Sequence, residues 1–149
     1  MMKNILPYAV FLIPIGVGII VQTIKFIIYS LKHGWDIRYA FTHGHMPSAH
    51  SAFAFSLVTS IGFYEGVHTG TFAVATALAF LIIDDATRLR MTLGDQGKYL
   101  NMLIGQLNFN IDEEKYPRLK ERMGHKVSEV IVGAILGLLL TIFFIKLLS

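Results

Sequence analysis

The residues best suited to chemistry stand where helices are expected to begin. In the stretch Gly44–Ala52, Pro47 and Ser48 precede an apolar run, and His50 falls inside the first turn. Proline and serine both suit a helix start, which attracts anions through its N–H groups and its dipole. A histidine beside a bound oxyanion can protonate a leaving oxygen. This stretch predicts an anion site with a proton donor; the alternative is a capping turn with an incidental histidine.

A second histidine has a carboxylate at helical spacing. His125 and Glu129 are four residues apart, so in a helix they share one face. The carboxylate can accept from one ring nitrogen of His125, which leaves the other nitrogen as a nucleophile or base. An ordinary helix pair has the same spacing. A second histidine at another helix start, with Arg88 and Arg90 on the same side, favours the chemical interpretation.

The amino-acid composition indicates that the protein lies in a membrane. Of 149 residues, 54% are hydrophobic and only 15% are charged, whereas average soluble proteins have about 25% charged residues. The absence of cysteine excludes disulfides and thiolate sites. The net charge of +3 is not gathered with aromatic residues into a nucleic-acid-binding patch, and it fits loops beside a membrane better. We predict one membrane-embedded helical domain over residues 1–149, with no nucleic-acid partner.

Apolar segments of span-like character predict the architecture. Residues Met91–Leu107 mix apolar and polar side chains, which predicts an amphipathic helix at the membrane interface or over a site. Asp84–Arg90 either ends the third apolar segment or continues it into water, and Asn108–Arg122 is expected to be a loop or a short surface helix. We therefore predict an all-α, integral membrane helical bundle with about four spans plus an amphipathic interfacial helix. The four apolar segments are Ile5–Leu31, Ala49–Tyr64, Thr71–Ile83 and Val127–Leu148.

Four spans bring the ionisable residues to one side of the membrane. That side collects the ends of the first and third spans and the starts of the second and fourth. It includes Lys25, about six residues or ~9 Å from the end of its helix. Lys25 either snorkels to the surface or contacts an anion inside the bundle, which we favour. Because the loops on this side carry most of the lysines and arginines, we predict that it is the cytoplasmic side of the cell membrane.

A pair of glycines in the last span predicts close helix packing. Gly133 and Gly137 form a GxxxG pattern, which lets helices approach closely in lipid. We favour packing within the bundle, and the alternative is a homodimer through these two glycines.

Several ordered motifs resemble a known superfamily. Pro47-Ser48-Ala49-His50, and later His125 followed by Glu129, resemble the second and third motifs of the type 2 phosphatidic acid phosphatase and vanadium haloperoxidase superfamily. From about Lys25 to Gly137 the chain is similar to a small divergent branch of that superfamily. The further residues that carry this likeness are Gly44, Met46, Ser51-Ala52, Asp85-Ala86, Arg90, Gln96, Leu100-Asn101, Gly124 and Val130.

The resemblance implies a metal-independent phosphatase acting on a lipid phosphate or an isoprenoid (di)phosphate. His125 would be the nucleophile that forms a phosphohistidine, and Glu129 would orient it. His50 would protonate the leaving group and then activate water. No metal or other cofactor is implied, because lysine, arginine and backbone dipoles supply the positive charge. The residues implied to bind phosphate are Lys25, Ser48, Arg90 and Gly124, with Asp85 pairing with Arg90 or positioning it. The alternatives to Arg90 are Arg88, Arg118 and Arg122.

The chain departs from the superfamily pattern at several positions. Only Lys25 of the first motif carries over, and Leu119 stands where the third motif has arginine. Glu129 replaces aspartate and Ala49 replaces glycine. These departures favour the alternative function, a non-catalytic lipid-phosphate or phosphate-anion binder or transporter that retains the pocket.

A metal site is a further alternative, since the chain has enough histidine and acidic residues to form one. We do not predict a metal, because no His-Glu-x-x-His pattern is present. The candidate ligands are His43, His45, His50, Asp84, Asp85, His125 and Glu129.

Overall fold

Every regular element in the described part of the chain is a helix. A computed structural model describes residues 8–34, 46–107, 117–121 and 123–148. The all-α class is therefore confirmed for these residues. The elements are α1 (Ala9–His33), α2 (Ala49–Tyr64), α3 (Gly70–Asp84), a π-helical turn (Asp85–Leu89), α4 (Arg90–Gln106) and α5 (Val127–Leu148).

Helices α1, α2 and α5 pack together as the core of the protein. One face of α1 buries a residue at every fourth position: Ala9, Ile13, Val17 and Val21. This spacing keeps the buried side chains in one stripe along the helix. Lys25 is the next residue in the same stripe and is also buried. The core of α1 thus ends in a charged side chain, directed into the bundle.

Helices α2 and α5 meet along two stripes of small residues. Each contacting pair is separated by 85 positions in the sequence, so the helices run parallel and begin at the same end of the bundle. A Cβ atom at either glycine of α5 would overlap the backbone of α2, and the hydroxyl groups of the third pair form a hydrogen bond of 2.6 Å. The pairs are Gly133 with Ser48, Gly137 with Ala52, and Thr141 with Ser56.

The GxxxG pattern is therefore used for packing within the chain. Both glycines are buried against α2. The helix face that the alternative homodimer would use is therefore already covered by another part of the same chain. Dimerisation itself stays a prediction, and it would have to use another face of the protein.

Helix α3, the π-helical turn and α4 form one uninterrupted helix from Gly70 to Gln106. The segment Asp84–Arg90 therefore continues the third helix rather than ending it. Residues 117–121 of the predicted loop are not helical, and they lie beside α4. The remainder of that loop lies outside the described residues, as do residues 35–45 between α1 and α2.

Two of the helices are long and apolar enough to cross a membrane. They are Ala9–Leu31 within α1 and Val127–Leu148. Helices α2 and α3 have 16 and 15 residues, which is fewer than the roughly 20 that a full span requires. Large apolar side chains such as Ile19, Phe80 and Phe143 point outward, as expected where helices contact lipid.

Candidate active site

The side chain of His125 is buried and held by Glu129. His125 is only 4% exposed, and its Nδ1 lies 3.0 Å from Oε2 of Glu129. The same oxygen accepts a hydrogen bond from the backbone N–H of Lys126, as in one half of a capping box. Glu129 is thereby held by the helix start and in turn orients the imidazole. With the proton on Nδ1, the lone pair of Nε2 is the one available for nucleophilic attack.

The surroundings of His125 keep its ring neutral. Burial lowers its pKa, and this effect is larger than the opposing hydrogen bond and negative charge of Glu129. The positive charges of Lys25 and Arg90 lower the pKa of His125 further. A neutral imidazole keeps a lone pair on one ring nitrogen and is the nucleophilic form of histidine. The two cations therefore favour the nucleophilic form of His125 and lie where they can attract an anion.

The π-helical turn positions His125 through its backbone. The N–H of Arg90 donates to the carbonyl oxygen of Asp85, five residues back, and the carbonyl oxygen of Ala86 accepts from the N–H of His125 at 2.9 Å. Gly124 has a φ of 84°, and a Cβ atom there would lie 2.9 Å from the oxygen of Ala86. The close approach of the two segments thus explains this glycine.

The same turn brings Asp85 and Arg90 together. Residues five apart do not share a face of an α-helix, but the extra residue in a π turn aligns them. Nε of Arg90 donates to Oδ2 of Asp85 at 2.7 Å, which is the pairing expected from the sequence. Arg88 is 80% exposed and pairs with Asp84 instead. Of these two arginines, it is Arg90 whose charge acts on His125.

Lys25 lies inside the bundle rather than at its surface. It is 3% exposed, so it does not snorkel to the surface, and its contact with an anion stays a prediction. Its ammonium group interacts electrostatically with Glu129 and with His125. A buried charge is costly unless it is compensated. The carboxylate of Glu129 supplies part of this compensation.

His50 and His125 border the same space. Their ring centroids are 6.2 Å apart, with the ring planes at 58°. This separation is within the range at which two rings are in direct contact. It also brings both imidazoles within reach of one small group. His50 is exposed whereas His125 is buried. The buried ring is suited to attack, and the exposed ring is suited to exchange protons with water.

Ser48 caps α2 and is fully buried. Its Oγ accepts from the backbone N–H of Ser51 at 3.3 Å and from the Ser51 hydroxyl at 2.9 Å. These two bonds use the lone pairs of the hydroxyl oxygen and not its proton. Sequence reasoning did not select Ser51, although a serine three residues after an N-cap serine is a signal for such a bond. The N–H of Ser48 donates to the carbonyl oxygen of Glu129 and so ties the two helix starts together.

The fold thus places the predicted site residues of four elements at one end of the bundle. Among the described residues, no three His, Cys, Asp or Glu side chains are grouped closely enough to hold a metal ion. His43 and His45 of the alternative metal site lie outside the described residues. The residues brought to this end are Lys25, Ser48, His50, Asp85, Arg90, Gly124, His125 and Glu129.

Comparison with known proteins supports a specific relationship. A family model described as "Divergent PAP2 family" matches residues 7–140. The chain is also 34% identical over 129 residues to the uncharacterized membrane protein YuiD of Bacillus subtilis (strain 168), and the match covers 80% of each chain. No solved structure matches the chain. The relative's description and the two apolar helices together support a membrane localisation.

Proposed function

Because the chain belongs to the divergent PAP2 family, we propose that it is a metal-independent membrane phosphatase. Its substrate is a lipid phosphate or an isoprenoid (di)phosphate. The observation that carries the proposal is the state of His125: buried, neutral, held at Nδ1 by Glu129 and bordered by a second histidine. An incidental histidine pair at the end of a helical bundle would not need this support.

The reaction proceeds in two steps through a phosphohistidine. Nε2 of His125 attacks the phosphorus atom, and the bond from phosphorus to the lipid oxygen breaks. The imidazolium of His50 gives its proton to that oxygen, so the alcohol or shorter phosphate leaves neutralised. His50, now neutral, takes a proton from water, and the resulting hydroxide attacks phosphorus. The P–N bond breaks, inorganic phosphate leaves, and His125 returns to its starting state.

Positive groups around the histidines stabilise the charge on the transferring phosphoryl group. Lys25 lies on the bundle side and Arg90 on the side of the π-helical turn, and the hydroxyl of Ser48 donates from the start of α2. Charges preorganised in a site with little water act more strongly than charges in solvent. Removal of one such donor typically costs about 10²–10³ in kcat. Asp85 keeps Arg90 in place through the 2.7 Å hydrogen bond.

The apolar exterior of the bundle supports a lipid as the substrate. Helices α1, α3 and α5 present large apolar side chains outward up to the end where the site lies. An acyl or isoprenoid tail can then stay in the membrane while the phosphate reaches the histidines. We propose four membrane spans, two of full length in α1 and α5 and two short ones in α2 and α3, with α4 at the interface and the site on the cytoplasmic face of the cell membrane. The basic loops on this side support that orientation.

The second candidate is a lipid-phosphate or phosphate-anion binder or transporter that does not turn over. Leu119 favours it, since this position holds a phosphate-binding arginine in the larger superfamily. The Leu119 side chain is exposed and its backbone is bonded to Asn101. The site then has one cation fewer than the superfamily pattern. Binding of phosphate with no hydrolysis would be the result.

The deciding experiment is phosphate release by the purified protein in detergent with chelator present. The substrates are phosphatidic acid, phosphatidylglycerophosphate, and isoprenoid mono- and diphosphates. His125→Ala and His50→Ala are expected to abolish release. The matched control is His68→Ala, because His68 is an exposed histidine in the turn between α2 and α3, at the other end of the bundle. Release that persists in folded His125→Ala protein excludes the proposal. Saturable vanadate binding by the wild type, without release from any substrate, selects the binder.

A further inference from the structure

A segment of the chain leads directly into the nucleophile. Residues 117–121 and 123–125 precede α5 and end at His125, and we call them the lead-in segment. This segment is not helical. It lies along α4 and the π-helical turn. Its own conformation therefore offers little resistance to displacement, and its position depends on what it contacts.

The first contact is with two glycines of α4. Gly94 and Gly97 are buried. A Cβ atom at Gly94 would lie 2.9 Å from the carbonyl oxygen of Glu121, and a Cβ atom at Gly97 would lie 2.7 Å from the carbonyl oxygen of Lys120. Both distances are shorter than a carbon and an oxygen tolerate. The two glycines therefore allow the backbone of the lead-in segment to lie directly on the backbone of α4.

The second contact consists of three hydrogen bonds made by the side chain of Asn101. Its Nδ2 donates to the carbonyl oxygen of Leu119 and to Oε1 of Glu121, both at 2.9 Å. Its Oδ1 accepts from the backbone N–H of Leu119 at 3.1 Å. The side chain is only 8% exposed. Only an amide offers two donors and an acceptor at this position.

The lead-in segment is held at both ends. Its far end is the hydrogen bond from the N–H of His125 to the carbonyl oxygen of Ala86. Between the two ends its backbone lies against α4 at Gly94 and Gly97. The position of Leu119 on Asn101 therefore helps to set the path by which the chain reaches His125.

We propose that Asn101 is a positioning residue for the nucleophile, acting on His125 through the lead-in segment that it holds against α4. The phosphatase role of that histidine rests on the proposed function above. The placement of its ring does not depend on turnover, so the two can be tested separately. Asn101 does not touch the reacting atoms.

The test compares Asn101→Ala, Asn101→Gln and Gln106→Ala in the full-length protein. Asn101→Gln keeps the same groups on a side chain one methylene longer, and Gln106 is an exposed amide on the same helix. Two readouts are used: kcat and KM for phosphate release, and the titration of the His125 ring by NMR of protein labelled with ¹⁵N-histidine. His125→Ala assigns the signal.

In Asn101→Ala we expect kcat to fall about 10²-fold with KM little changed, as for a displacement of about 1 Å. The titration of His125 is expected to move up towards the ordinary histidine value, because the loosened ring becomes hydrated. Asn101→Gln should recover part of both, and Gln106→Ala should match the wild type. If the wild type releases no phosphate but the titration still shifts in Asn101→Ala, the proposed function fails and the positioning role stands.

Two results would overturn the positioning role. One is a folded Asn101→Ala protein with wild-type kcat and wild-type titration of His125. The other is a loss of kcat that only follows the unfolded fraction, with His125 titrating normally in the folded remainder. Should Asn101→Ala not fold, Asn101→Gln decides by the same two readouts.

Discussion

The contact between α2 and α5 gives a prediction about a single methyl group. Gly133 lies against the carbonyl oxygen of Ser48, and a Cβ atom there would overlap this oxygen and come within 3.2 Å of the Ser48 side chain. Substitution of Gly133 by alanine adds that Cβ and no other heavy atom. Because the obstacle is backbone at the start of α2, it cannot move aside as a side chain would. The two helices must separate.

The size of the effect follows from two opposing contributions. Alanine in place of glycine inside a helix stabilises by roughly 0.5–1 kcal/mol. Overpacking of a close contact costs about 1–3 kcal/mol. Since the obstacle at Gly133 is backbone, we take the overpacking cost as about 2–3 kcal/mol, which leaves a net loss of about 1–2.5 kcal/mol. To restore ordinary contact the start of α2 must retreat by ~1 Å, and a misplacement of this size can cost about 10²-fold in rate. Ser48 and His50 both move with it.

The assay measures thermal unfolding in detergent together with phosphate release. The matched control is Gly16→Ala, because Gly16 is also inside a membrane helix but has no atom within 4 Å of its added Cβ. We expect Gly16→Ala to unfold at or above the wild-type temperature with full activity. Gly133→Ala should unfold at a lower temperature and lose most of its activity.

The reasoning is refuted if Gly133→Ala is as stable and as active as Gly16→Ala. Such a result would mean that α2 and α5 are not in direct backbone contact. The parallel register of the two helices, and the joint placement of Ser48 and His125, would then have to be revised.

Two further predictions concern charge at the site. Since the pKa of His125 is lowered, the unfolded chain binds a proton at this residue more readily than the folded protein; stability is therefore greatest above about pH 6.5 and falls as pH drops towards the lowered pKa. Activity should fall on the same acid limb, and Glu129→Gln should move this limb to lower pH because the raising effect of the carboxylate is lost; a pH profile with an unmoved limb contradicts it. Lys25→Met should unfold at a lower temperature than the wild type, because loss of the ammonium group leaves the largely buried Glu129 carboxylate with less compensation. It should lose about 10²–10³ in kcat and bind vanadate more weakly, and unchanged vanadate affinity would rule out Lys25 as an anion contact.

Local patterns were enough to predict part of the site. The spacing of His125 and Glu129 predicted their contact because both lie within one helical turn of each other. The cap at Ser48 followed from serine before an apolar run. The helical class and the membrane character followed from composition and the length of the apolar runs. Each of these depends on residues close together in the chain or on simple totals.

The course of the third helix could not be read from local patterns. The sequence left open whether Asp84–Arg90 ends that helix, and nothing in it indicates a π-helical turn. This turn is matched to a partner far along the chain, since the carbonyl oxygen of Ala86 accepts from His125. The choice of Arg90 over Arg88 follows from the turn, because the extra residue rotates Asp85 and Arg90 onto one face.

What the sequence by itself determined is a membrane-embedded helical protein with two histidines at helix starts. Only the tertiary structure decided that the histidines share one space and that Lys25 is buried beside them. It also decided that Gly133 and Gly137 pack against the backbone of α2. These outcomes depend on the register in which helices pack, and register is set by the fit of side chains and backbone between elements distant in the sequence. Gly94 and Gly97 beneath the lead-in segment also depend on tertiary structure, because each must be glycine only since the backbone of that segment lies directly on it.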